Sequence, residues 1–172
     1  MALDELKNDL ENALFGAKEA FLLKEAAPGN ADAMVMLGLM YEATDEEKAL
    51  HWYQKAANLN CADAFYCLGE FYETPAHYSV VEANDEVAEQ YFLKGIALGS
   101  VDAMHELGTR YFHSGNKEKG LELINKSAEL GNPISLIWLS TCYKCGWIGR
   151  KSVSKAYEYA YKAFDKLYNE KW

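Results

Sequence analysis

The sequence predicts an all-α protein, a right-handed superhelical solenoid of antiparallel helix pairs. Three observations predict it: one pattern recurring at a period of 31 to 39 residues, apolar residues spaced at three and four, and helix-capping residues at the seams. The pattern Ala-x-x-x-Leu-Gly-x-x-Tyr appears at Ala33, Leu37, Gly38 and Tyr41, then at Ala64, Leu68, Gly69 and Tyr72, then at Ala103, Leu107, Gly108 and Tyr111. A fourth copy keeps the sizes with Ser135, Leu139, Ser140 and Tyr143. A second half aligns Ala49, Tyr53, Lys55 and Ala56 with Ala88, Phe92, Lys94 and Gly95, with Gly120, Ile124, Lys126 and Ser127, and with Ala156, Ala160, Lys162 and Ala163. Each half reads as an amphipathic helix, so the unit is a helical hairpin, and strands are not indicated.

Residues 2 to 27 read as a degenerate first unit. Leu3, Leu6, Leu10, Leu14, Ala17 and Phe21 make one apolar stripe, with Gly16 as a point of interruption. The segment 1–30 is assigned a capping role, because an end repeat covers one open face of a stack and turns a polar face to water. Full repeats follow at 31–61, 62–100 and 101–132, and residues 133–172 form the last repeat and its cap. The small columns mark where two helix axes come close, and the large columns fill the space beside them. Gly29, Asn60, Gly99 and Gly131 tolerate the left-handed cap that ends a helix, and Asn30, Ser100 and Asn132 then sit where the next helix needs an N-cap. Pro133 suits the first position of its helix. The turn at Ala43 to Asp45 is short, whereas Thr74 to Asp85 is a long insertion that reads either as a binding loop or as a tolerated surface excursion. In the last repeat Gly146 and Gly149 allow a turn, Trp147 and Ile148 are predicted to tuck against the stack, and Tyr159 and Phe164 fall in core columns. Tyr157 and Tyr161 mark either a contact edge, through which a weak dimer forms, or an end cap.

Half of the 172 residues are apolar, enough for a continuous core. A formal charge of −9 argues against nucleic acid and against an anionic membrane surface, and it favours basic partners. No apolar run approaches a bilayer span, and the opening MALDELKNDLENAL has acids where a secretory signal has bases. The chain therefore reads as cytoplasmic, and Cys61, Cys67, Cys142 and Cys145, which share no repeat column, read as free thiols.

The combination of Ala-x-x-x-Leu-Gly-x-x-Tyr with a following Ala-x-x-Trp-Tyr-x-Lys-Ala-Ala resembles the Sel-one-like repeat, a relative of the tetratricopeptide repeat, over roughly residues 13 to 168. Gly120, Ser127 and Ser140 depart from its consensus. The resemblance implies a curved solenoid that binds other proteins as an adaptor or regulator, and some relatives act as immunity partners of secreted toxins. It also implies that first helices line the inner curve. The side chains so placed are Asp32, Val35, Leu39 and Glu42; Asp63, Tyr66, Glu70 and Glu73; Asp102, His105, Thr109 and Phe112; and Ile134, Ile137, Thr141 and Lys144. Together they read as an acidic ladder beside an apolar and aromatic patch, suited to one basic protein surface. Asp32, Asp63 and Asp102 have a second explanation, since a carboxylate in the first turn of a helix complements its dipole.

Asp102 and His105 share a helix face, but no further histidine pair or HExxH completes a metal site, and no cofactor is expected. Cys142 and Cys145 form a C-x-x-C without the second pair that a zinc site needs or the strand-to-helix setting of a redox site. No nucleophile stands beside a base at a motif spacing, and the glycines recur with the repeat, so an enzyme is not expected. The reading is a non-enzymatic interaction module, a monomer in its simplest form. Its alternatives are a dedicated inhibitor of a secreted toxin and a protein that binds a small ligand or metal.

Overall fold

Apolar spacings of three and four become helices wherever the structure, a computed structural model describing residues 2–73 and 81–169, can be read. Among the described residues these are α1 (Ala2–Ala26), α2 (Ala31–Tyr41), α3 (Glu46–Asn58), α4 (Ala62–Glu73), α5 (Asp85–Ala97), α6 (Val101–His113), α7 (Lys117–Glu129), α8 (Pro133–Cys145) and α9 (Val153–Tyr168), with no strand. The chain divides into two compact units, Met1–Tyr91 and Phe92–Trp172. Most of the long insertion, residues 74–80, lies outside the described residues.

The seams form as the capping residues dictate. Asn30, Ser100 and Asn132 each accept a hydrogen bond from the backbone N–H three residues on, at 3.2, 3.2 and 2.9 Å. Asp45 and Ser152 do the same for α3 and α9 at 3.1 and 3.3 Å. Asn60, at φ 58°, is the non-glycine member of the left-handed column, and its short amide side chain is what lets it stand there. After the insertion, the Asn84 N–H donates to Tyr72 O at 2.8 Å, which ties the start of α5 back to α4.

In the first unit, Leu37, Ala49, Tyr53, Ala56, Ala64, Leu68 and Phe71 are buried as one core, so the Leu and Ala columns pack as their spacing requires. Tyr53 and Phe71 meet edge to face at 5.7 Å, and Tyr72 stacks on Tyr91 at 5.5 Å. In the second unit, Ile124, Ala128, Leu136, Leu139 and Ala163 form the core, with Trp138, Ile148 and Tyr159 against it.

Four expectations change. Helix α1 runs unbroken through Gly16, because a single glycine weakens a helix without ending it. Its stripe of Leu6, Leu10, Leu14 and Phe21 is exposed, and α1 packs instead through Leu22, Ala26 and Phe15, the last edge-on to Tyr41 at 6.3 Å. That stripe therefore stands outside the core of the first unit. Trp147 is exposed while Ile148 packs on the core, and Phe164 is exposed although its column is filled in earlier repeats.

Candidate partner-binding site

The side chains assigned to first helices separate into two groups once packing is known. In the first unit, α4 carries Asp63, Tyr66, Glu70 and Glu73 at spacings of three, four and three, which puts them on one helical face. Asp63 is exposed and the other three are half-buried, so this side of α4 carries three carboxylates around one aromatic ring. On α2, Leu39 is exposed, whereas Val35 is buried in the core. Glu42 is engaged: its carboxylate accepts a hydrogen bond from the Tyr53 hydroxyl at 2.5 Å, and burial holds that phenol far above its usual range.

In the second unit, His105 and Phe112 are 6% and 7% exposed, which corrects their assignment to an open surface. The reason is the next hairpin. Phe112 meets the ring of Trp138 edge-on at 5.0 Å, and His105 Nδ1 lies 2.9 Å from the Ser135 hydroxyl on α8. The Ser135 hydroxyl in turn donates to the Ser127 oxygen at 2.8 Å, and the Ser127 hydroxyl to the Val101 carbonyl at 2.7 Å. A carbonyl can only accept, so both serine protons point along the chain and His105 Nδ1 must be the donor to Ser135. Asp102 is also occupied: it accepts from the Asn132 side-chain amide at 2.6 Å, while the same Asn132 caps α8. Thr109 is half-buried and its hydroxyl donates to Glu106 O at 2.9 Å. Ile134, Ile137, Thr141 and Lys144 on α8 are exposed.

The buried imidazole makes a pH prediction. Burial lowers the His105 pKa, against a smaller opposing pull from Asp102. An unfolded chain then binds a proton that the folded one refuses, so this contribution is complete above the unfolded value of about 6.5 and declines as pH falls through it. Urea unfolding between pH 7.5 and 5.5 is expected to show falling stability, and His105→Gln is expected to flatten that slope. An equal slope in both proteins would place its origin elsewhere.

Among the described residues, no three His, Cys, Asp or Glu side chains gather as a metal site, and no helix is long and apolar enough to cross a membrane. All four cysteines are free thiols; burial raises Cys142 to about 12, while Cys145, three residues on, is exposed. What sequence reasoning missed is a charge asymmetry. Residues 133–172 carry seven Lys and Arg against three Asp and Glu, while residues 27–132 carry seven against seventeen. Counting charge repeat by repeat finds it.

A family model for the Sel1 repeat matches residues 31–61, 64–100, 101–132 and 133–166. Among solved structures, a Sel1 repeat protein from Oxalobacter formigenes is similar with a TM-score of 0.69 at 25% identity, over 94% of this chain and 69% of its own. A protective antigen of uropathogenic Escherichia coli displaying an SLR fold gives 0.67 at 27%, over 84% of this chain and 32% of its own. An immunity protein from Pseudomonas aeruginosa gives 0.73 at 23%, over 88% of this chain and 58% of its own, a likeness of fold. An F-box protein from Arabidopsis thaliana is 38% identical over 63 residues, 37% of this chain and 18% of its own length. The matched segments thus correspond to a third or less of the antigen and of the F-box protein.

Proposed function

This chain belongs to the Sel1 repeat family, and from that premise we propose that it is a non-enzymatic module holding one basic protein partner on the α4 face. The observation that carries the reading is the row Asp63, Tyr66, Glu70 and Glu73, in which acids flank a half-buried ring at helical spacing. The acids supply orientation and association rate, and the ring supplies area removed from water. Glu70 and Glu73 lie beyond the first turn of α4, so the helix dipole does not account for them. In the second unit, Thr109, Ile137 and Lys144 are proposed as contacts of their own unit; Asp102, His105 and Phe112 act through packing instead.

The narrower form is an inhibitor that covers a secreted toxin, which needs one tight face where an adaptor needs two. The net acidity of residues 27–132 favours it for a cationic toxin. The test is partner capture from the native organism followed by kinetics on Glu70→Lys/Glu73→Lys. Association is expected to slow by roughly tenfold or more at low salt, with the fold intact. Unchanged rates would remove the α4 face, and stoichiometric zinc in the purified protein would favour a metal-binding role.

A further inference from the structure

Among the described residues, nothing covers the face of the last hairpin that corresponds to the stacking surface of the earlier repeats. The column Val35, Tyr66, His105, Ile137 is 8% exposed at Val35 and 6% at His105, yet 49% at Ile137. The column Ala57, Ile96, Ala128, Phe164 is 9% exposed at Ala57 and 8% at Ala128, yet 53% at Phe164. In the second unit, the following hairpin provides the cover: His105 bonds Ser135 of α8, and Ala128 packs in one core with Leu136. On α8 and α9 the same columns are held by the apolar residues Ile137 and Phe164. They open a groove of about 230 Å³ between α8 and α9, lined by Ile137, Thr141, Phe164, Leu167 and Tyr168 among others.

A surface shaped for an amphipathic helix needs one, and α1 has an apolar face left uncovered among the described residues. Helix α1 packs on its own unit through Phe15, Leu22 and Ala26, leaving Leu6, Leu10, Leu14 and Phe21 exposed on another face. Charge agrees with the match. Residues 2–26 carry six Asp and Glu against three Lys and Arg, the reverse of the basic last repeat with its seven Lys and Arg against three acids. A contact between two copies of the basic hairpin would set like charges against each other, whereas α1 on α8 and α9 joins opposite ones. The stripe from Leu6 to Phe21 is about 23 Å long. A helix of that length lying in a groove removes on the order of 1,000 Å² from water, the low end for a specific contact.

We propose that copies of this chain associate head to tail, the α1 stripe of one lying in the α8–α9 groove of the next as a following repeat's helix would. The contact is heterologous, so it propagates or closes into a ring. It leaves the α4 face untouched and, of the residues assigned to the partner, uses Ile137 alone.

Sedimentation velocity is expected to show the average mass rising above the monomer with concentration through the micromolar range, less so as salt increases. Leu10→Glu/Leu14→Glu and Phe164→Glu each change exposed side chains, and circular dichroism checks their fold; if Phe164→Glu loses helix, Phe164→Gln replaces it. Each variant alone is expected to be monomeric, and an equimolar mixture is expected to give a heterodimer and nothing larger, since each supplies the face the other lacks. A wild-type monomer at every concentration overturns the proposal. So does a mixture that stays monomeric, or an α1 variant that still dimerises, which would signify a symmetric contact through the groove.

Discussion

Gly120→Ala is expected to destabilise the second unit by about 2 to 3 kcal/mol, the high end for adding a methyl group to a packed site. A Cβ at Gly120 would stand 2.6 Å from Gly108 O, 2.6 Å from Phe112 N and 3.0 Å from Phe112 Cα. These are backbone atoms of α6, so no rotamer change relieves the contact and the two helices must part. Gly16 in α1 is the control, because a Cβ there meets nothing within 4 Å. With no clash, the gain in helix propensity is uncovered, and Gly16→Ala is expected to stabilise by roughly 0.5 to 1 kcal/mol. Urea unfolding followed by far-UV circular dichroism compares the two. A Gly120→Ala midpoint equal to the wild type would mean that α6 and α7 do not approach through Gly108 and Gly120.

That contrast shows what a repeat pattern encodes. Gly108 and Gly120 fall in columns held by small residues in the other copies, so their close approach is visible as recurrence. Caps are visible for a similar reason: Asn30, Ser100 and Asn132 each answer a local need of the backbone, which is the same at every seam. Exposure is different, because periodicity says which residues share a face and not what covers it. His105 and Phe112 have the spacing of an open face, yet α8 brings Ser135 and Trp138 over them. Phe164 has the spacing of a core residue, yet among the described residues nothing covers it. The α1 stripe is the same lesson in reverse. Its residues are correctly grouped by period, while the buried side of the helix is chosen by the fit of Phe15, Leu22 and Ala26 to the first unit. That Asp63, Tyr66, Glu70 and Glu73 share one side of α4 is legible, since it depends only on position along one helix.

Tyr53→Ala is expected to cost the first unit about 3 to 5 kcal/mol, the range for truncating a buried ring to a methyl group. Tyr53 is fully buried, edge-on to Phe71, with its hydroxyl on Glu42 and its ring filling the space above Gly38. Tyr53→Phe separates these roles: it keeps the ring and removes the hydroxyl, for an expected loss of about 0.5 to 1.5 kcal/mol. The stronger test joins Tyr53 to Gly38, where an added Cβ would lie 2.3 Å from a Tyr53 ring carbon. Gly38→Ala is therefore expected to destabilise the wild type. In a Tyr53→Ala background the ring is gone, the methyl group occupies part of the cavity, and the preference of helices for alanine adds roughly 0.5 to 1 kcal/mol in its favour. The same substitution changes sign between the two backgrounds, and a double-mutant cycle in urea measures the difference as a coupling between helices α2 and α3. Additive effects would mean that the small column at Gly38 is not there to admit the large one at Tyr53, and the pairing of columns that builds each hairpin would need another cause.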